Sequence, residues 1–212
     1  MPHHREGIQE QLDKAYDEGH RDNEAIDADK IVSAEMGHVD DKEMRGKLSL
    51  EETVALLNEN GYLDASFEGK EVHKLVVKAL SKEEAITEYK KSGGVPYISQ
   101  DLESNMPYLT PNVENLDVMI MNFGKEIKSP EALTEMDRLG VRPLTYEELI
   151  QYGVTYPSHQ QKNDLVGLGS KYTYSGGPRT PVLLMLANDR ELDGKVWGLL
   201  WDSSYRFPVV RK

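Results

Sequence analysis

The sequence predicts an α+β fold: a helical N-terminal region, then a C-terminal domain with an early strand, two helices and an antiparallel β-meander. Three observations carry this expectation. Apolar residues recur at helical spacing in the first half, most fully at Val72, Leu75, Val76, Ala79 and Leu80. Three capping-box sequences begin at Ser49, Ser81 and Thr145, each with Glu three residues on, so that hydroxyl and carboxylate satisfy the first free amides of a helical turn. After Pro157 the pattern changes to short apolar runs separated by turn residues, the signature of strands and hairpins.

Each segment follows from its own pattern. Residues 1–47 form an acidic region, partly helical or loose, with one thin stripe at Ile8, Leu12, Ala15 and Tyr16. Residues 48–94 read as a small three-helix unit: Leu50, Val54 and Leu57 on the first helix, which Gly61 ends, the Val72–Leu80 stripe on the second, and Ala85, Ile86 and Tyr89 on the third. Residues 95–115 read as a proline-rich linker or ordered loop, interrupted by Pro96, Pro107 and Pro111, with Tyr97, Ile98, Tyr108 and Leu109 as the residues to pin it to a neighbour. Residues 116–212 make the α+β domain, opening with a buried strand over Leu116–Phe123. Ser129 as N-cap and Pro130 at the next position start a helix that Gly140 closes, and the Thr145 box starts another that ends before Gly153. Four runs then form the meander: Leu165–Leu168, Val182–Ala187, Val196–Trp201 and Tyr205–Val210. Gly176-Gly177, Asp189–Gly194 and Asp202–Ser204 supply turns between them. Pro208 has no amide hydrogen for a ladder and places the last strand at an edge.

Composition limits the function. The absence of cysteine excludes disulfides, thiolate metal sites and cysteine nucleophiles. The net charge is −12, with 22 acids against 13 bases in residues 1–100 and 15 against 12 in the remainder. Such a chain as a whole repels a phosphate backbone, and solubility is the simplest reading of the acidity. No apolar run follows the first residues, and none is long enough to span a bilayer, so the expected location is the cytoplasm, with no membrane partner.

Residues 117–212 carry several distinctive stretches: Ser129-Pro130-Glu131-Ala132-Leu133, Met136-Asp137-Arg138-Leu139-Gly140, Arg142-Pro143-Leu144-Thr145 followed by Glu147-Glu148-Leu149, Tyr156-Pro157, Gly167-Leu168-Gly169-Ser170 and Tyr205-Arg206-Phe207-Pro208-Val209-Val210-Arg211-Lys212. In these stretches the chain resembles a group of uncharacterised bacterial hypothetical proteins. No activity is known for that group, so the resemblance implies no catalytic residue.

Five patterns invite a chemical reading. Glu35, His38, Asp40 and Asp41, with Glu43 nearby, form the densest group of hard metal ligands. Glu35 and His38 at i, i+3 are half of a di-iron carboxylate pattern, but no second Glu-x-x-His occurs, and a solvated acidic loop is the plainer explanation. His159, Asp164 and Ser170 are the parts of a hydrolytic triad, yet Ser170 lies in Gly167-Leu168-Gly169-Ser170 and not in a nucleophile elbow. Lys171 and Arg179 flank glycines in a stretch able to cradle a phosphate, and with Arg206 and Arg211 they are the candidate anion-binding set. A hairpin loop between strands explains the glycines better, since the stretch is not a P-loop and no helix follows it. Lys70, Lys74 and Lys78, beside His73, would line one face of the second helix and suggest helix-turn-helix binding, but their segment is acidic overall. Trp197, Trp201, Tyr205 and Phe207 would be a stacking platform if outward-facing and core if inward-facing.

No catalytic constellation is complete. The expected function is therefore a non-catalytic protein-interaction or adaptor module without a cofactor, binding a protein partner or itself through the N-terminal helices. The alternative is a nucleotide- or nucleic-acid-binding protein that uses the basic, aromatic C-terminal half. A hydrolase stands third.

Overall fold

Strand-forming residues occupy more of the chain than its helical spacing suggests. The computed structural model describes residues 48–67, 72–93 and 96–212. The helices expected before residue 48 lie outside the described residues. In chain order the elements are α1 (Leu50–Glu59), a 3-10 turn (Ala65–Phe67), β1 (His73–Val77), α2 (Lys82–Lys91), β2 (Tyr97–Ile98), α3 (Gln100–Asn105), β3 (Glu114–Met121), β4 (Ile127–Lys128), α4 (Ser129–Arg138), β5 (Val141–Pro143), α5 (Tyr146–Thr155), α6 (Pro157–Lys162), β6 (Leu165–Val166), β7 (Tyr172–Tyr174), β8 (Gly177–Leu186), β9 (Asp189–Val196), β10 (Leu200–Trp201) and β11 (Phe207–Arg211). The mixture is α+β, with mostly antiparallel pairing.

All three capping boxes form, at Ser49–Glu52, Ser81–Glu84 and Thr145–Glu148. Each hydroxyl accepts from the third helical amide while the Glu carboxylate accepts from the cap's own amide. The helix expected at Ser129 also forms, but the Ser129 hydroxyl is used elsewhere. It donates to the Trp197 carbonyl at 2.6 Å and accepts from the Trp201 indole at 2.9 Å, which lets Trp201 be fully buried.

The middle helix expected over Val72–Leu80 is instead strand β1. His73, Leu75 and Val77 point inward, and Lys74 and Val76 point outward. Both periods fit the apolar residues; the edge of β3 decides between them. Register runs from His73 opposite Val118 to Val77 opposite Glu114, and the adjacent valines suit a pleated strand. The other edge of β1 is covered by α5. Gln151 brackets the backbone of Lys78, accepting from its amide at 2.8 Å and donating to its carbonyl at 3.0 Å, and the Tyr156 hydroxyl donates to the Lys74 carbonyl.

The first sheet has the order β1-β3-β11-β5. Its β3 residues alternate between two cores: Leu116, Val118 and Ile120 face the one containing Tyr89, Tyr146 and Leu149, while Met119 and Met121 face the one containing Leu57, Met136 and Trp201. A sheet buried on both faces reads as the continuous apolar run seen here. Contrary to the edge position expected from Pro208, β11 is central, between β3 and β5. The Leu144 amide donates to the Pro208 carbonyl at 3.0 Å, and Pro208 has no N–H to return. The Gly169 amide does so instead, donating to the Leu144 carbonyl at 3.1 Å. A Cβ at Gly169 would lie 2.5 Å from that carbonyl oxygen, so this donor requires glycine.

The second sheet has the order β2-β9-β8-β6, with β7 also on β8. The stretch Asp189–Gly194, expected as a turn, is most of β9. Its polar outward residues mask an inward set of Arg190, Leu192 and Gly194. The actual hairpin turn is the pair Ala187-Asn188 between Leu186 and Asp189. At β7–β8 the turn falls on Ser175-Gly176, both with positive φ, close to the expected glycine pair. The run expected as one strand over Val196–Trp201 is interrupted: β9 stops at Val196, and Leu200–Trp201 pairs with β4. Helix α5 continues through Gly153 instead of ending before it. A Cβ there would meet Leu183 and Tyr89 at 3.0 and 3.1 Å, so the small residue serves close packing.

Candidate functional site

The chain between α3 and β3 crosses the surface as residues 106–113, inside the expected linker. It is tied down from behind. Lys82 Nζ donates to the Met106 carbonyl at 2.9 Å, the Tyr108 hydroxyl to the Leu80 carbonyl at 3.1 Å, and the Leu109 amide to Glu147 Oε1 at 2.9 Å. The Tyr108 ring meets Tyr146 edge-on, 5.9 Å between centroids. Burial pushes the Tyr108 hydroxyl up to about 12, and the charge of Glu147 adds to the effect, so the phenol stays a neutral donor.

Although the backbone of residues 106–109 is held, Leu109 stands 79% exposed, and Val113, next to β3, is 72% exposed. Between the loop and the start of α5 lies a groove of about 470 Å³, walled by Met106, Pro107 and Pro111 on one side and by Glu147, Ser170 and Lys171 on the other. Glu148 is buried at its floor and grips Arg142 through two hydrogen bonds of 2.8 Å, which hold that guanidinium above its ordinary value. Glu114 and Glu147 also line the groove, giving it an acidic cast. Lys171 lies over the Trp197 ring at 5.5 Å. Chemically the site offers aliphatic anchors beside carboxylates, an arrangement suited to non-covalent recognition.

The structure disperses the candidate anion-binding set. Arg179 donates to the Gly194 carbonyl at 2.8 Å and lies 3.8 Å from Asp101. Arg206 is half-buried in an ion pair with Asp64 and donates to the carbonyls of Ser203, Ser204 and Tyr205. Arg211 donates to the Leu48 carbonyl at 2.6 Å. Only Lys171 borders the groove, among carboxylates that oppose an anion.

The parts of the expected triad are likewise held by different partners. His159 Nδ1 lies 2.7 Å from the Tyr152 hydroxyl, and its ring stacks on Tyr156 at 5.1 Å and packs against Phe67 and His73. Ser170 Oγ accepts from the Tyr146 amide at 2.9 Å. The Asp164 carbonyl accepts from the Arg206 amide, and burial raises its carboxyl above the usual range. The lysines expected on a helix face are not on one: Lys74 leaves β1 to pair with Asp117, Lys78 pairs with Glu88 at 3.0 Å, and Lys70 lies outside the described residues. Trp201 and Phe207 are core, as the inward-facing reading expects. Glu35, His38, Asp40, Asp41 and Glu43 lie outside the described residues; among those described, no group of three or more His, Asp or Glu side chains is placed to hold a metal ion. No helix among the described residues is long and apolar enough to cross a membrane.

The sequence offers this segment as a linker or ordered loop with Tyr97, Ile98, Tyr108 and Leu109 to pin it; Tyr108 does pin it, whereas the Leu109 side chain is exposed and the groove behind the loop was not expected. The signal for an ordered loop is Tyr108 and Leu109, which a solvated spacer does not need. Comparison of the chain with protein families, curated proteins and solved structures finds no match.

Proposed function

We propose that the protein is a non-catalytic protein-interaction module whose contact surface is the pinned loop 106–113 with the groove behind it. The observation that carries this reading is the exposure of Leu109 where the backbone of residues 106–109 is held by Lys82, Tyr108 and Glu147, with Val113 exposed just before β3. An ordered loop loses little conformational entropy on binding, so the burial of its aliphatic groups is available to affinity. The carboxylates of Glu114 and Glu147 beside those anchors favour a partner that presents an apolar side chain flanked by a basic one. The nucleotide or nucleic-acid reading draws less support, because Arg179, Arg206 and Arg211 direct their donors to protein acceptors at separate places.

The test is affinity capture from the source cell with the tagged full chain and with a Leu109→Asp, Val113→Asp double variant, followed by binding measurements on the partner recovered. The expected result is a partner whose affinity falls at least tenfold in the variant while the thermal midpoint is unchanged. Recovery of the same partners at the same affinity with both proteins rejects this surface.

A further inference from the structure

We propose that a second groove, between β2, α3 and β7, binds a neutral saccharide. Its volume is about 500 Å³, within the range of about 300–1,000 Å³ common to small-molecule sites. The lining is unusual in kind. Among the described residues it consists of the phenol rings of Tyr97 and Tyr174 and the polar side chains of Ser99, Gln100, Asp101, Ser104 and Asn105, with no aliphatic and no basic side chain. Tyr97 and Tyr174 stand 54% and 39% exposed. Ser99 is only 7% exposed, and its hydroxyl has no hydrogen-bond partner among the described residues. It immediately precedes α3 yet makes no capping bond. A buried hydroxyl left unpaired costs free energy that a ligand's hydrogen bond would recover.

The polar groups beside it are held in position. The Asn105 side-chain Nδ2 donates to the Asp101 carbonyl at 2.7 Å, and Asp101 Oδ2 accepts from the Tyr172 hydroxyl at 3.1 Å. Gly194 makes room for that hydroxyl, since a Cβ there would lie 1.7 Å from it. Arg179 lies over one face of the Tyr174 ring, 5.3 Å from its centre, and 3.8 Å from Asp101, with a hydrogen bond to the Gly194 carbonyl.

Sugar chemistry matches this set. The C–H faces of a pyranose ring carry slight positive charge and settle on the negative face of an aromatic ring. Its hydroxyls both donate and accept, and so do a serine hydroxyl and a side-chain amide, while a carboxylate accepts from two neighbouring hydroxyls. An anion is opposed by Asp101 and by the net charge of −12. A peptide anchored by aliphatic side chains finds no apolar pocket among these residues. The binding is non-covalent and involves no reaction step.

The experiment is an NMR titration of the isotopically labelled full chain with maltose, cellobiose and chitobiose. Inorganic phosphate and a basic, proline-containing peptide serve as comparison ligands. At least one disaccharide is expected to give saturable shifts at the amides of Ser99, Gln100 and Asn105. Tyr97→Ala and Tyr174→Ala should each weaken that binding about tenfold, the loss of one stacking face. Both side chains are exposed, so the variants should keep the thermal midpoint; Ser99→Ala, which removes only the hydroxyl, is a further check and should also weaken binding. The proposal is overturned if no disaccharide gives saturable shifts, if only phosphate or the peptide does, or if binding is unchanged in both tyrosine variants.

Discussion

Arg190 is the residue whose replacement the structure prices most clearly. It is 3% exposed, and no carboxylate among the described residues pairs with it. Its guanidinium donates to the carbonyls of Gly153 at 2.6 Å, Ser92 at 3.0 Å and Gly93 at 3.3 Å, to the Ser92 hydroxyl at 3.0 Å, and to Gln160 Oε1 at 3.0 Å, and it lies 5.0 Å from the centre of the Tyr89 ring. One side chain therefore joins β9 to the ends of α2 and α5 and to α6. In Arg190→Met, four or five acceptors lose their donor, at about 1–3 kcal/mol for each one left unsatisfied. Two effects offset part of this. Burial holds the guanidinium below its ordinary pKa, so its removal relieves desolvation. The methionine also restores apolar packing worth about 1–3 kcal/mol. The expected net loss is about 3–5 kcal/mol.

Urea unfolding measures it. With a slope of about 2 kcal/mol per molar, the midpoint should fall by about 2 M. Arg190→Lys should recover only part of the loss, because an ammonium cannot fork to carbonyls on three elements. The gap between wild type and Arg190→Met should be insensitive to salt, since no opposite charge is involved. A loss below about 1 kcal/mol would refute the reasoning and mean that water or rearranged backbone serves these acceptors equally well.

Three other outcomes are expected. Gly169→Ala should cost about 2–4 kcal/mol, because its Cβ meets a backbone oxygen at 2.5 Å and the hydrogen bond to Leu144 is lost; a thermal midpoint close to wild type would contradict the close approach. Burial raises the Tyr89 hydroxyl from 10.0 to about 12. Below pH 10 the phenol is neutral in both states; above it only the unfolded chain ionises, so Tyr89 alone contributes a fall of about 1.4 kcal/mol per pH unit until pH 12, and Tyr108 and the other buried phenols add to it, so stability should fall at least that steeply. Denaturant titrations from pH 9 to 12 with tyrosinate absorbance report this, and a flat profile counts against it. Leu109→Asp with Val113→Asp should change stability by less than about 0.5 kcal/mol in the same assay, and a larger loss would show that these side chains support the fold.

Much of the architecture was legible in the residues. Capping boxes announce α1, α2 and α5 because the chemistry that satisfies free amides is local. The apolar run of β3 announces a strand because both its faces are buried. The candidate sites were less legible. Glu147 reaches the Leu109 amide across 38 positions, and Tyr172 reaches Asp101 across 71, and neither separation leaves a spacing pattern. The anion-binding set failed to gather for the same reason: Arg206 and Arg211 lie on one short stretch, yet one is drawn to Asp64 and the other to Leu48.

By itself the sequence determined the α+β class, the starts of most helices and the acidic, cysteine-free character, because propensity, capping and composition act within a few residues. Tertiary structure decided what depends on distant partners. It made Val72–Leu80 yield β1 instead of a helix, since the edge of β3 was there to pair with it. It placed β11 at the centre of its sheet despite Pro208, since Gly169 provides the missing amide donor. It also buried the charge of Arg190 within a stretch that reads as a turn, since backbone carbonyls at the ends of α2 and α5 and the Gln160 side-chain oxygen of α6 converge on it.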